Sequence, residues 1–450
     1  MPVDSATVRY QFPTTLGRFF ARFDAGRATS DGGLVWLAEA ERAVAVCATL
    51  ADALPEWRRR PGIHSRLTLV RQRVFQIACG YTDQNDATCL RRDPLLKLVC
   101  DRLPETDPDL ASQPTLSRLD NAVDRRSCYR LAWALVEVYH AERERLGRPT
   151  HLVIDLDSTD DPTHGEQEGT AYHGYYGQHM YHPLLVFDGT THQLITAVLR
   201  PGNAHASWGV VGVLRRLVAA CRRWWPGVTL EIRGDSGFGV PAVYTFCEQA
   251  GIDYTLGLAS NARLQRSAAP LLAQAQARQA ATGEKVRLAG ETRYQAESWS
   301  QPRRVVFKAE ALAKGPNTRF VVTTRPDPPE ALYDWYVDRG EMENWIKDFK
   351  NACAADRLSC HRFWANQFRL FLHAAAYWLL DTLRGWLRQA GQPPLQLDSL
   401  RTTFLKIGAV LLHVANIFLL RLASSHPAQH LWDLLTRTTR LGDHYPILRE

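Results

Sequence analysis

At 450 residues, 45% hydrophobic and 22% charged, the chain can fill more than one core and is neither a disordered polyelectrolyte nor a membrane bundle, since no run approaches eighteen apolar residues. Lys and Arg outnumber Asp and Glu 54 to 47, a formal charge of +7, which suits a polyanionic partner without requiring one. Nine scattered cysteines with no C-x-x-C pair argue against a disulfide scaffold or a zinc module and for reduced thiols in a cytoplasm. Asp4, Arg9, Gln11 and Arg18 interrupt the first twenty residues, so no signal peptide is expected.

From about Val35 to Glu142 the periodicity is helical, in amphipathic segments that start at Asp, Ser or Thr and end near Gly or Pro. At His151 the texture changes to short β-branched runs. "HLVIDLD" and "TLEIRGD" read as buried strands, and "HPLLVFDGTTHQLITAVLR" as a hairpin turning at Asp188-Gly189. "GVVGVLRRLVAACRRWW" and "VPAVYTFCEQAG" are helical, and "DYTLGLA" is a further strand, so the arrangement is α/β. A Gln/Ala/Arg-rich helix to about Thr282 leads into three strand-like runs that read as an inserted β module. "YVDRGEMENWIKDFK" then has the spacing of one helix, followed by a long amphipathic helix from Phe363. "GAVLLHVANIFLLRLA" fits either a hairpin or a buried helix, and a last helix is expected from His426, capped by Ser424 or Ser425.

The chemistry concentrates in three places. Asp155 and Asp157 alternate along one strand and share a face, an arrangement too costly to bury without a partner cation. Asp235 ends an apolar strand at a Gly-flanked turn, where ligand sites of parallel sheets form. Projected at about 100° per residue, Tyr336, Arg339, Glu343 and Lys350 form one stripe beside an apolar ridge of Trp335, Met342, Ile346 and Phe349. Two aspartates and a glutamate converging at strand ends can hold two Mg²⁺ ions about 4 Å apart for phosphoryl transfer. Arg339 and Lys350 would grip phosphates and Tyr336 would hydrogen-bond one or buttress the glutamate. Singly, each group also fits a cap, a turn or a solvated helix face with Arg339 paired to Glu343.

The spacing Tyr336-x2-Arg339-x3-Glu343-x6-Lys350 resembles the Y-x2-R-x3-E-x6-K signature of DDE-class bacterial insertion-sequence transposases, and "DLDST" and "RGDSGF" resemble their first two aspartate motifs. "LRRDPLLKLV", "ASQPTLSRLDN", "GEQEGTAYHGYYGQHMYHPLLVF" and the "SW" before "RRVVF" are similar to the insertion-sequence family numbered thirteen-eighty. The resemblance spans roughly residues 35 to 440. It implies a ribonuclease H-like core in two parts (149–260 and 329–390), interrupted by a β-strand insertion (261–328), with a helical N-terminal DNA-binding domain (1–148) and a C-terminal region (391–450). It further implies cut-and-paste movement of a DNA element at terminal inverted repeats, with Mg²⁺ or Mn²⁺, two ions per site, and a homodimer holding two ends and the target DNA. Asp235 and Glu343 carry over as catalytic, metal-holding acids. Asp157, followed by Ser158-Thr159, is taken as the first, with Asp155 the alternative.

The resemblance also suggests a base flipped onto an aromatic, for which Trp299 is the candidate, core packing being the competing explanation. Arg118, Arg91 and Arg92, with Lys97, Arg125 and Arg126 near them in sequence, could read the repeats or form a solvated face. The stretch from Tyr172 to His182 concentrates aromatics, His and Gly; Gln178 and His182 mark it as a loop near DNA or metals, or as a packed turn.

Overall fold

In the computed structural model the described residues are 23–60 and 62–439, with backbone alone at 10–13 and 18–21. The expectation of no signal peptide, and the end of the C-terminal region beyond residue 439, lie outside them. The chain forms two compact units: residues 1–123, 351–354 and 375–450, and residues 124–350 and 355–374.

In chain order, β1 (Tyr10–Pro13) and β2 (Arg18–Ala21) pair antiparallel, and β3 (Ala28–Thr29) follows. The helical stretch begins with α1 (Leu34–Val44) and α2 (Val46–Ala53), parted by Ala45 in the left-handed region at φ 53°. α3 (Arg66–Ala78) starts where Ser65 accepts the Thr68 N–H, and after α4 (Asp86–Leu90) α5 (Pro94–Val99) starts where Asp93 accepts that of Leu96. These caps satisfy N–H groups that a first turn leaves open. α6 (Gln113–Asn121) ends this part, and α7 (Arg125–Leu146), capped by Asp124, opens the second unit.

β4 (His151–Ser158) is buried along most of its length; β5 (Asp161–Pro162), β6 (Ala171–His173) and β7 (Gln178–Tyr181) make a small separate sheet ordered β5-β7-β6. The main sheet continues with β8 (Leu184–Asp188) and β9 (Leu194–Val198), then, after α8 (Val210–Trp224), β10 (Thr229–Gly234), and after α9 (Pro241–Ala250), β11 (Asp253–Leu258). β4, β10 and β11 run parallel, as helical crossovers require. α10 (Ala262–Thr282) leads to β12 (Val286–Tyr294), β13 (Arg303–Leu312) and β14 (Gly315–Thr323). These three antiparallel strands extend the same sheet, whose order is β12-β13-β14-β11-β10-β4-β8-β9.

The helix expected over 336–350 is interrupted. α11 (Pro329–Val337) passes into a 3₁₀ turn at Asp338–Gly340 before α12 (Glu341–Cys353). The apolar ridge nevertheless packs: Met342, Ile346 and Phe349 are buried. α13 (Phe363–Gln389) follows.

In the first unit, α14 (Leu397–Leu400) runs into a π-turn at Arg401–Leu405, and the ambiguous apolar run is a hairpin of β15 (Ala409–Val414) and β16 (Ile417–Leu422), in which β15 pairs with β3. α15 (Gln429–Thr438) starts three residues later than expected and has no side-chain cap. Trp36, Phe404 and Trp432 pack within 6 Å of one another there. No described helix is long and apolar enough to cross a membrane. All nine cysteines are free thiols.

Candidate active site at the carboxyl ends of β4 and β10

The parallel pairing of β4 with β10 places Asp155 opposite Arg233 in the register. Both Asp155 oxygens accept from the Arg233 guanidinium, Oδ1 from Nε and Oδ2 from Nη2, each at 2.7 Å. Asp155 is fully buried and Arg233 3% exposed; Arg233 also donates to the Trp335 carbonyl at 3.0 Å and lies over the Trp335 ring. Burial raises the Asp155 carboxyl, and Arg233 opposes that shift. Gly189 fits this spot because a Cβ there would come 2.7 Å from Asp155 Oδ2.

One pleat on, Asp157 faces a more open place. Its Oδ2 accepts from Arg339 Nη1 at 3.1 Å and its Oδ1 from the Ser158 N–H at 2.8 Å. Burial, reinforced by the Asp235 charge against the pull of Arg339, pushes its carboxyl up to about 6. Asp235 follows directly on β10 and caps its own turn, Oδ1 accepting the Gly237 N–H at 2.9 Å. The turn presses on β11 so closely that a Cβ at Gly257 would meet the Ser236 nitrogen at 2.6 Å. Two parallel neighbours thus present a mutually repelling pair of carboxylates at one edge.

The four signature residues fall on three successive elements. Tyr336, on α11, donates its hydroxyl to the Gly234 carbonyl at 3.1 Å, pinning that helix to the end of β10. Burial raises its phenol, and the Asp235 and Asp157 charges add to the rise. Arg339, on the 3₁₀ turn, stands between Asp157 and Glu343, the latter at 4.0 Å. Glu343, on the first turn of α12, is 60% exposed at its side chain. Lys350, two turns further, donates to the Asp160 carbonyl at 3.0 Å and to its Oδ1 at 2.8 Å, with Asp356 at 3.8 Å. Burial alone would raise the Asp160 carboxyl; the Lys350 bond brings it below the usual range.

Other predicted residues lie elsewhere or are engaged. Gln178 donates to Asp160 Oδ2 at 3.2 Å, and the buried His182 shares a 2.8 Å bond with the Ala204 carbonyl. Trp299 is 6% exposed, edge-on to Tyr244 and Tyr294 with Arg303 over its ring. In the first unit, Arg91 and Arg92 share Asp109, Arg118 is exposed in the last turn of α6, and Lys97 is buried and donates to the carbonyls of Pro104 and Asp107. Arg125 and Arg126 are exposed at the start of α7. Sequence reasoning missed Arg233 and Asp160 as partners of the named acids and cations. An Arg on an apolar strand two residues before Asp235 was the available signal.

Among the described residues, no group of three His, Cys, Asp or Glu side chains is close enough to hold a metal ion. The donor chemistry does fit one: Asp157 and Asp235 are hard oxygen donors whose charges oppose each other and call for a cation. The Arg339 guanidinium supplies it here, bridging toward Glu343.

The chain matches, over residues 17–443, the family described as "Transposase DDE domain group 1", and it belongs to that family. Among solved structures it is similar to the piggyBac transposase synaptic complex with hairpin DNA, at 10% identity and a TM-score of 0.44, covering 98% of this chain and 85% of that one. No curated protein matches the sequence.

Proposed function

We propose that the chain is a metal-dependent DNA transposase that cuts an insertion sequence at its terminal inverted repeats and joins it to target DNA, working as a homodimer that holds two ends. The observation that carries this is the Asp157 and Asp235 pair at adjacent parallel strand ends, flanked by Arg339 and Lys350, in a chain of the DDE transposase family. The order β9-β8-β4-β10-β11, with β8 antiparallel to β4, supports a ribonuclease H-like core extended by β12, β13 and β14.

Asp157 and Asp235, with Glu343 drawn in from α12, would hold Mg²⁺ or Mn²⁺. Such ions, when bound, acidify an attacking water or hydroxyl and stabilise the leaving oxygen. The protein's own groups do the positioning. Arg339, which sits on Asp157 Oδ2 at 3.1 Å, has a planar fork that would match two phosphate oxygens. Lys350 is a point charge for a flanking phosphate, and Tyr336 keeps the turn carrying Arg339 seated on β10. In the first step the water oxygen bonds to phosphorus and the 3′-oxygen leaves, taking up a proton; in the second the freed 3′-hydroxyl attacks a target phosphodiester in the same way. Arg118, Arg91 and Arg92 on the helical part are assigned to backbone contacts at the repeats.

The test is incubation with a duplex carrying the inverted repeat found beside the gene, with Mg²⁺ or Mn²⁺, for wild type and Asp235→Ala on a denaturing gel. Metal-dependent nicking at the repeat terminus, lost in the variant, and a joined product with added target DNA are expected. Cut DNA without any joined product would make the protein a nuclease, and repeat-specific binding without cutting a silent DNA-binding relative.

A further inference from the structure

A cavity apart from the acidic pair lies within the second unit, between α7, α8, α13 and the edge strand β9. It measures about 250 Å³. Four elements each turn apolar side chains into it: Trp133 and Val136 from α7, Leu217 from α8, Val198 from β9, and Trp364 and Phe371 from α13. Gln367 fixes α13 to the end of β9, accepting the Leu199 N–H at 2.7 Å and donating to the Ala197 carbonyl at 3.3 Å. Close-packed interiors leave few voids larger than a water molecule, and an apolar cavity of about 150 Å³ is enough to bind benzene. This one has room for a second ring.

Its polar groups are few, one deep and two at the rim. Thr196, which alternates with Val198 on one face of β9, lines the cavity and is 3% exposed; its Oγ1 has no hydrogen-bond partner among the described residues. A hydroxyl buried without a partner is costly, so one that lines a cavity is placed for a partner from outside. Arg125 and Arg216 line the cavity from exposed positions. Arg216 is held there, donating to the Gly212 carbonyl at 2.6 Å and lying 5.5 Å from the centre of the Tyr129 ring. No Asp or Glu lines the cavity. Asp124, next to Arg125 in the chain, is engaged in capping α7 through the Ser127 N–H and hydroxyl. Two guanidiniums at an acid-free opening suit a carboxylate. Cys128 also lines the cavity, but burial pushes its thiol up to about 12, so covalent capture is not the use of the site.

We propose that this cavity binds a small aromatic carboxylate of one or two rings, its carboxylate on Arg125 and Arg216 and a ring N–H or hydroxyl on Thr196 Oγ1. The apolar walls take the rings, the rim takes the charge, and the one unpaired interior hydroxyl selects a ring that carries a polar hydrogen. None of these residues takes part in the phosphoryl transfer proposed above, so the two readings stand or fall separately.

Calorimetric titration of the full chain with indole-3-acetate tests this, beside two analogues that each lack one feature: indole-3-acetamide, without the charge, and 1-naphthaleneacetate, without the N–H. Indole-3-acetate is expected to bind with a Kd below about 1 mM, and each analogue about tenfold more weakly. Arg125→Gln/Arg216→Gln should erase the preference for acid over amide, and Thr196→Val that for indole over naphthalene. Ala132→Trp, which fills the cavity from α7, should abolish binding of all three. Thermal melts report whether each variant is folded. Thr196→Val keeps the side-chain shape and removes only an unpaired hydroxyl, so it carries the test even where the larger Trp disturbs packing. Equal affinity for acid and amide, an indole preference that survives Thr196→Val, binding retained in folded Ala132→Trp, or no binding of indole-3-acetate at millimolar concentration each overturns the proposal.

Discussion

Asp155 and Asp157 lie two residues apart on the same face of β4, and their surroundings differ in one decisive respect. The Asp155 carboxylate is saturated: both oxygens are held by the Arg233 fork, and Arg233 is itself fixed by the Trp335 carbonyl and ring. The Asp157 carboxylate is held by no such fork, its Oδ1 accepting only the Ser158 N–H at 2.8 Å. Its cation, Arg339, meets one oxygen at 3.1 Å, is shared with Glu343, and faces the opposing charge of Asp235. The inner pair locks two strands together where a charge cannot be left single, and the outer pair is one from which a cation can be exchanged. Only the second arrangement leaves room for exchange, which is the ground for proposing Asp157 rather than Asp155 as the first acid.

The sharpest way to break this comparison is Arg233→Met, which strands a fully buried carboxylate. Urea unfolding is expected to lose about 3–5 kcal/mol, with most of it recovered in Asp155→Leu/Arg233→Met, because an apolar pair of similar volume replaces a buried ion pair at little cost. A loss below about 1 kcal/mol for the single variant would mean that Asp155 has another partner. The next effect is smaller and depends on pH. The folded carboxyl of Asp157, near 6, lies above its unfolded value of 3.8. Its contribution to stability is therefore fully present below about pH 4 and is lost as pH rises through about 6. Melts between pH 4 and 7 should show wild type losing on the order of 1–2 kcal/mol relative to Asp157→Asn across that window. Parallel pH curves for the two proteins would show that Asp157 is not strained in the folded state.

What could be read beforehand was local. Two alternating aspartates in an apolar strand announced both a shared face and a need for cations, and Asp235 at a Gly-flanked strand end announced a turn. Which cation answers which acid was not legible: Arg233 went unnamed, and Arg339, named for phosphate, reaches Asp157, the two pairings spanning 78 and 182 residues. Nor was the break at Asp338–Gly340. The apolar ridge kept helical spacing through it, so that period alone could not distinguish one helix from two joined by a tighter turn. Trp299 shows the same limit from the other side: an aromatic residue suits both stacking and packing, and its neighbours Tyr244 and Arg303 come from other elements. The strands β12, β13 and β14 were recognised as strands, but their joining of the main sheet through β14 and β11 is a long-range pairing.

Two further substitutions test the outer pair with smaller effects on stability. Tyr336→Phe removes one bond to the Gly234 carbonyl and is expected to cost about 1 kcal/mol in urea unfolding. It should slow nicking as well, since the phenol seats the turn that carries Arg339. An unchanged rate with reduced stability would confine Tyr336 to packing. Glu343→Gln should hardly move stability, within about 0.5 kcal/mol, because its side chain is 60% exposed and touches Arg339 only at 4.0 Å. The same change is expected to abolish cutting while binding of the repeat ends persists, the charge being needed only when a cation displaces Arg339. Loss of binding together with cutting, or a marked fall in melting temperature, would make Glu343 a structural partner of Arg339 and leave the two aspartates without their third acid.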